Sequence, residues 1–237
     1  MNGKNILLTT VTLISLVAQS LVAQSLNAQD LTQKEKSINL LEKAFSTKQD
    51  RSVLNYINDK KYIQHNLYAK DGIDGLKGYL DYLNGKELKN DVVIAFEDNN
   101  YVVTLSSTSQ EKQLSKVIDI FRFEKGLIVE HWDNAQELVK DEKLQAVEVI
   151  DFDKTQKNKQ LIKEIIDEKV FAGKYLKNHM ILAQGNLVLS VSEVIKENQK
   201  IALYELFDIK NSKIINHWTI EEFIPSINEW QNSNGKF

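Results

Sequence analysis

His131 and Asp133 stand two residues apart in the run Leu127-Ile128-Val129-Glu130-His131-Trp132-Asp133, which follows the turn Glu124-Lys125-Gly126. A β-branched and aromatic run bounded by a turn reads as a strand. Alternation puts Val129, His131 and Asp133 on one face and Ile128, Glu130 and Trp132 on the other. An imidazole beside a carboxylate suits general acid–base chemistry, one group taking a proton and the other donating or orienting. Asp133 is then the base and His131 the donor or orienting group. His65, in Tyr62-Ile63-Gln64-His65-Asn66, sits just before the turn-rich Asp71-Gly72-Ile73-Asp74-Gly75. With Tyr62, Gln64 and Asn66 beside it, His65 could bind a ligand oxygen or relay a proton near neutral pH. Each residue has a plainer alternative. Trp132 and Ile128 would pack between sheets with His131 and Asp133 as a surface pair, and His65 or Asn66 would bond the backbone of the following turn.

These residues need elements to hold them. Ile38, Leu41, Ala44 and Phe45 recur at helical spacing within Lys34 to Lys48, and a second short helix fits Arg51 to Asn58. Leu76, Tyr79, Leu80 and Leu83 form the stripe of a third helix, ending near Asn84-Gly85. From Asp91 the period changes to two: Val92 to Phe96, Tyr101 to Ser107, Leu114 to Phe123 and Leu127 to Asp133 read as a consecutive antiparallel meander. Glu137 to Val149 reads as a connecting helix. Helices followed by a meander make an α+β fold.

The chain has 237 residues, 42% hydrophobic and 27% charged, with a net charge of −3. Acidic and basic residues are interleaved, which argues against a phosphate-binding surface and so against nucleic acid as a partner. The absence of cysteine excludes disulfides and thiolate metal sites. The four histidines lack zinc-ligand spacing, and no cofactor motif is present, so neither a metal nor a cofactor is expected. Lys4, the apolar stretch Ile6 to Val17 and small residues up to Ala28 have the layout of a secretory signal peptide over 1–28, predicting export and no stable membrane span after its removal.

Superposing His131-Trp132 on His217-Trp218 sets an offset of 86, which also pairs Phe121 with Phe207, Ile128 with Ile214 and Asn100 with Asn186. Phe45 pairs with Phe171 at an offset of 126, so a second copy would lack 40 residues, among them the Tyr62 to Asn66 motif and the third helix. A constant offset across several strands is a repeat signal.

Tyr62 to Asn66, Asp71 to Leu76 and Ile120 to Asp133, with the tail from Ile224-Pro225 to Phe237, resemble the SnoaL-like polyketide cyclase family of the nuclear transport factor 2-like superfamily. The resemblance implies a cone of three helices on a bent antiparallel sheet, enclosing an apolar pocket. It divides the mature chain into a pocketed domain at 29–136, a helical linker at 137–156 and a degenerate repeat at 157–237 without the cone helices. Family members commonly pair through their sheets, so a pseudo-dimer within one chain is expected and a homodimer stays open. The implied function is binding of a small apolar carbonyl-type ligand with cofactor-free cyclase or isomerase chemistry. Asp133, His131 and His65 would be the working groups, and Tyr62, Gln64, Asn66, Trp132 and Tyr79 the ligand-binding ones. The superfamily also contains non-catalytic binding modules, and fold alone does not choose between them.

Overall fold

The computed structural model describes residues 31–139, 142–171 and 175–237. The leader assigned to 1–28 lies outside them. Among the described residues no helix is long and apolar enough to cross a membrane. The described elements belong to one compact unit, Thr32–Phe237.

Thr32 opens helix α1 (Gln33–Asn39) through a reciprocal capping box with Glu35, satisfying donors that the first turn leaves unpaired. The helix widens into a π turn over Leu40–Ala44, and Asp50 caps a 3-10 turn over Arg51–Tyr56. After a short strand β1 (Ile63–Gln64), helix α2 (Gly72–Leu83) buries Leu76, Leu80 and Leu83. Strands β2 (Leu88–Asp98), β3 (Tyr101–Gln110), β4 (Gln113–Glu124) and β5 (Leu127–Glu137) follow as the expected meander, each longer than the sequence suggested. β1 joins this sheet parallel to β5, giving the order β1-β5-β4-β3-β2. Helix α3 (Thr155–Phe171) then leads into a second antiparallel sheet of β6 (Tyr175–Gln184), β7 (Leu187–Lys196), β8 (Gln199–Lys210) and β9 (Lys213–Phe223). The fold is α+β with a five-stranded and a four-stranded sheet.

The two sheets bury one face of each against the other. Ile94, Phe96, Val103, Leu105, Ile118, Ile120 and Trp132 meet Leu187, Leu189, Val191, Tyr204, Leu206 and Ile220 in one core. The outer face of the second sheet is packed by Ile162 and Ile166 of α3 against Val188, Phe207 and Ile209. Strands β7, β8 and β9 begin and end 86 residues after β3, β4 and β5. Bulges at Val92/Ile94 and Arg122/Phe123 have counterparts at Asn178/Met180 and Asp208/Ile209, at the same offset.

The connecting helix expected over Glu137 to Val149 does not form. β5 continues to Glu137, whose partner is Ser115 on β4, and the described residues from 142 to 151 are irregular. Leu144, Val147 and Val149 pack on the inter-sheet core, so burial over a flat surface, not helical periodicity, explains their spacing. The segment is fastened at Asn186, whose Oδ1 accepts from Ile150 N–H and whose own N–H donates to Ile150 O. Gly185, beside it, has φ +60°, and a Cβ there would lie 1.9 Å from Ile150 O. Gly185→Ala should therefore cost about 2 kcal/mol or more of stability. Gly78→Ala, in open space on α2, should gain roughly 0.5–1 kcal/mol. Urea unfolding of the two variants checks both; an unchanged midpoint for Gly185→Ala would mean that the strap does not sit there.

Candidate functional site

On β4 and β5 the cavity face and the core face alternate. Register sets Asp119 directly opposite Asp133 and Phe121 opposite His131. These four residues line a cavity of about 410 Å³, together with Leu40, Leu41, Leu76 and Tyr79 from the helices. Two carboxylates facing each other across a strand pair repel unless a proton or donor intervenes. His131 supplies it. Its ring stacks on Phe121 with centroids 4.7 Å apart, and Nε2 lies 3.0 Å from Asp119 Oδ1.

The other ring nitrogen is held by Gln64, which β1 sets beside His131 in the parallel register. Gln64 Oε1 accepts from the Asn66 backbone N–H at 2.9 Å, so its amide NH₂ is the group 3.1 Å from His131 Nδ1. A donor at Nδ1 and a carboxylate at Nε2 select the Nε2–H tautomer of the neutral ring. Asn66 Nδ2 donates to Asp133 Oδ2 at 3.0 Å, while Asn66 Oδ1 accepts from Tyr68 N–H, as expected of an Asn entering a turn. Tyr62 is 6% exposed and lines the cavity; among the described residues its hydroxyl has no hydrogen-bond partner.

Burial raises the pKa of Asp119, opposed by its bond to His131 and reinforced by the charge of Asp133. Burial acts against charge on His131, but the bond from Asp119 and the charges of Asp133 and Asp119 outweigh it and raise its pKa. Burial also pushes Tyr62 well up, with Asp133 and Asp119 adding to it, so its phenol stays a donor. Asp119, His131 and Asp133 each offer an atom within 4.8 Å of the others, which is a ligand set by type. Both ring nitrogens of His131 are already engaged, however, and a metal would have to displace Asp119 or Gln64.

The structure separates the sequence-derived residues. Asp133, His131, Tyr62, Gln64, Asn66 and Tyr79 line the cavity. His65 and Trp132 do not. Because Gln64 pairs with His131 on the cavity side, the next residue points to the opposite face. There His65 stacks on Trp132 with centroids 4.5 Å apart, and its Nε2 lies 2.8 Å from Glu130 Oε1. Trp132 is 4% exposed, in the inter-sheet core, so it is a packing residue as the plainer alternative had it. His65 and Asp133 therefore do not converge on one chamber.

Sequence reasoning missed Asp119, although a lone acid inside Val117-Ile118-Asp119-Ile120-Phe121, opposite Asp133, was a signal. In the second sheet the residues 86 further on, Glu205 and His217, pair at 3.2 Å, and His217 stacks on Phe207. There the Lys169 ammonium and the Tyr175 hydroxyl also bind Glu205, at 3.0 and 2.6 Å.

No family model matches the chain. A 61-residue stretch is 36% identical to the ATP-dependent helicase Lhr-Core of Sulfolobus acidocaldarius, a match covering 26% of this chain and 7% of that protein. The chain thus spans a small fraction of the curated relative's length. Among solved structures, a loop-truncation variant of IdmH aligns with a TM-score of 0.38 and 16% identity, over 44% of this chain and 93% of that one. TsrD from Streptomyces laurentii aligns with a TM-score of 0.36 and 18% identity, over 44% of this chain and 85% of that one. Both are low-scoring likenesses of fold.

The raised pKa of His131 fixes a sign. Its contribution to stability is complete below the unfolded value of about 6.5 and is lost as pH rises through the higher folded value. Asp119→Asn removes the charged partner of Nε2 but leaves the charge of Asp133 to oppose burial, so the folded pKa of His131 should fall from its parent value. The stability that the parent loses as pH rises above the unfolded value of about 6.5 should then be smaller in the variant. Thermal midpoints measured from pH 5 to 9 decide; parallel curves for the two proteins would refute the coupling.

Proposed function

We propose that the first half of the chain is a SnoaL-like domain of cone type that binds a small, mainly apolar carbonyl compound. In this reading it promotes enolisation by general acid–base chemistry, without a cofactor. The observation that carries this is one cavity holding a carboxylate pair, a histidine beside them and a phenol, with Leu40, Leu41, Phe45, Leu76 and Leu83 as its apolar wall and a polar rim that includes Asn90, Thr108 and Gln110. Asp133 takes the proton beside the carbonyl, and Tyr62 Oη donates to the oxygen as negative charge develops. His131, fixed by Asp119 and Gln64, tunes Asp133 from the flank. The second half is a degenerate copy, paired with the first as a pseudo-dimer; the shared offset of 86 in strands and bulges supports this. Its equivalent face is packed by Ile162 and Ile166 of α3. Export to the periplasm or medium follows from the leader-like 1–28.

A second reading has an observation in its favour. Both nitrogens of His131 are occupied and His65 faces away, as a non-catalytic ligand-binding or protein-interaction module would allow. The two readings separate without knowledge of the natural ligand. Exchange of the α-protons of a bicyclic aromatic ketone in D₂O can be followed by proton NMR. Enolisation predicts acceleration by the protein, lost by about a hundredfold or more in Asp133→Asn and Tyr62→Phe. Saturable binding with no acceleration would establish the binding module instead.

A further inference from the structure

The cavity's polar groups belong to the first sheet and its neighbouring strand, yet what holds several of them comes from the far end of the second half. After β9 the chain returns over 224–237 to the irregular segment 64–71, which carries Gln64 and Asn66. That segment has few backbone bonds of its own, and its carbonyls must find donors. Residues 231–234 supply them. Gln231 N–H donates to Leu67 O at 2.8 Å. Asn232 Nδ2 donates to Asn66 O at 2.7 Å and to Ala69 O at 2.9 Å. Asn234 Nδ2 donates to Gln64 O at 3.0 Å and to Asp71 Oδ1 at 2.7 Å.

Lys236 completes the arrangement. It is 3% exposed, and its ammonium donates to the backbone carbonyl of Asp133 at 2.8 Å and to Glu222 Oε1 at 2.6 Å. On the far side of the first sheet His65 Nδ1 donates to Gly235 O at 2.8 Å. The return segment therefore grips both neighbours of the cavity's polar groups. Asn234 and Asn232 hold the backbone of Gln64 and Asn66, whose side chains in turn orient His131 Nδ1 and Asp133 Oδ2.

We propose that Asn232, Asn234 and Lys236 are positioning residues for the cavity, so that the tautomer of His131 and the orientation of Asp133 in the first half are set by the return segment of the second. This rests on the cavity being the functional site, as argued above. It adds that the degenerate half is part of the site's construction. None of the three residues lines the ligand space of the first half, so each acts through another group.

The test is Asn232→Ala/Asn234→Ala in the full chain, with Lys236→Met as a separate variant. Ring nitrogen shifts of His131 are read by long-range proton–nitrogen correlation at a pH above its raised folded pKa, located by titration, with no ligand present. The parent protein should give the single Nε2–H tautomer. The double variant should give averaged shifts of two tautomers, while His217 stays put and the far-UV spectrum is unchanged. α-Proton exchange of the ketone should fall roughly ten- to a hundredfold in both variants. A lowered thermal midpoint with His131 still in one tautomer would overturn the proposal and leave only a structural clasp. Should the double variant not fold, Asn234→Ala alone, which spares both Asn232 contacts, is read in the same way. If the parent shows no ketone exchange but the tautomer shift occurs, the enzyme reading fails and the positioning role stands.

Discussion

The apolar contact between the two sheets is the constraint on which the rest depends. Fully burying an aliphatic or aromatic side chain there is worth about 1.5–3 kcal/mol, against roughly 0–1 kcal/mol for an exposed ion pair such as Arg51–Asp81. A one-residue slip of β4 or β5 would exchange Ile118, Ile120 and Trp132 for Asp119, Phe121 and His131 in that core. The sheet-to-sheet face thus fixes which residues are left for the other side. On that other side the helices do not close tightly, and a cavity remains above the polar residues that alternation has delivered.

Delivering two acids to opposed positions creates an electrostatic problem that the site then uses. Burial and the charge of Asp133 both act against the carboxylate of Asp119, and His131, stacked on Phe121, opposes them by donating to Asp119. The second sheet has no such pair, because Glu205 stands opposite Thr219. At the equivalent position Lys169 brings a permanent cation to Glu205, and α3 fills the face with Ile162 and Ile166. Both sheets carry a histidine paired with an acid; the first has a cavity beside it, the second a lysine and the packed side chains of α3.

The sequence made the meander readable because β3, β4 and β5 alternate cleanly and their turns are marked, Asn99 and Lys125 both adopting positive φ. α2 was readable from its stripe. The connecting helix was misread because Leu144, Val147 and Val149 are apolar for a tertiary reason, the shelf they cover, which no local period encodes. At the site, the facing of His131 and Asp133 followed from alternation alone. His65 was misplaced because Ile63–Gln64 is too short to announce itself as a strand, and only its parallel pairing with β5 fixes which way the next side chain turns. The return segment was invisible as a functional element, since its asparagines act across more than 160 residues of sequence.

The central claim is that His131 faces a chamber open to a ligand while His65, one strand away, faces the core. Carbon–proton correlation spectra of the four histidines, recorded during titration with a small bicyclic aromatic ketone, test it directly. The account predicts a saturable shift of the His131 ring resonances with those of His65 and His217 unmoved. Equal shifts at His65 and His131, or a His131 ring that never responds, would contradict it.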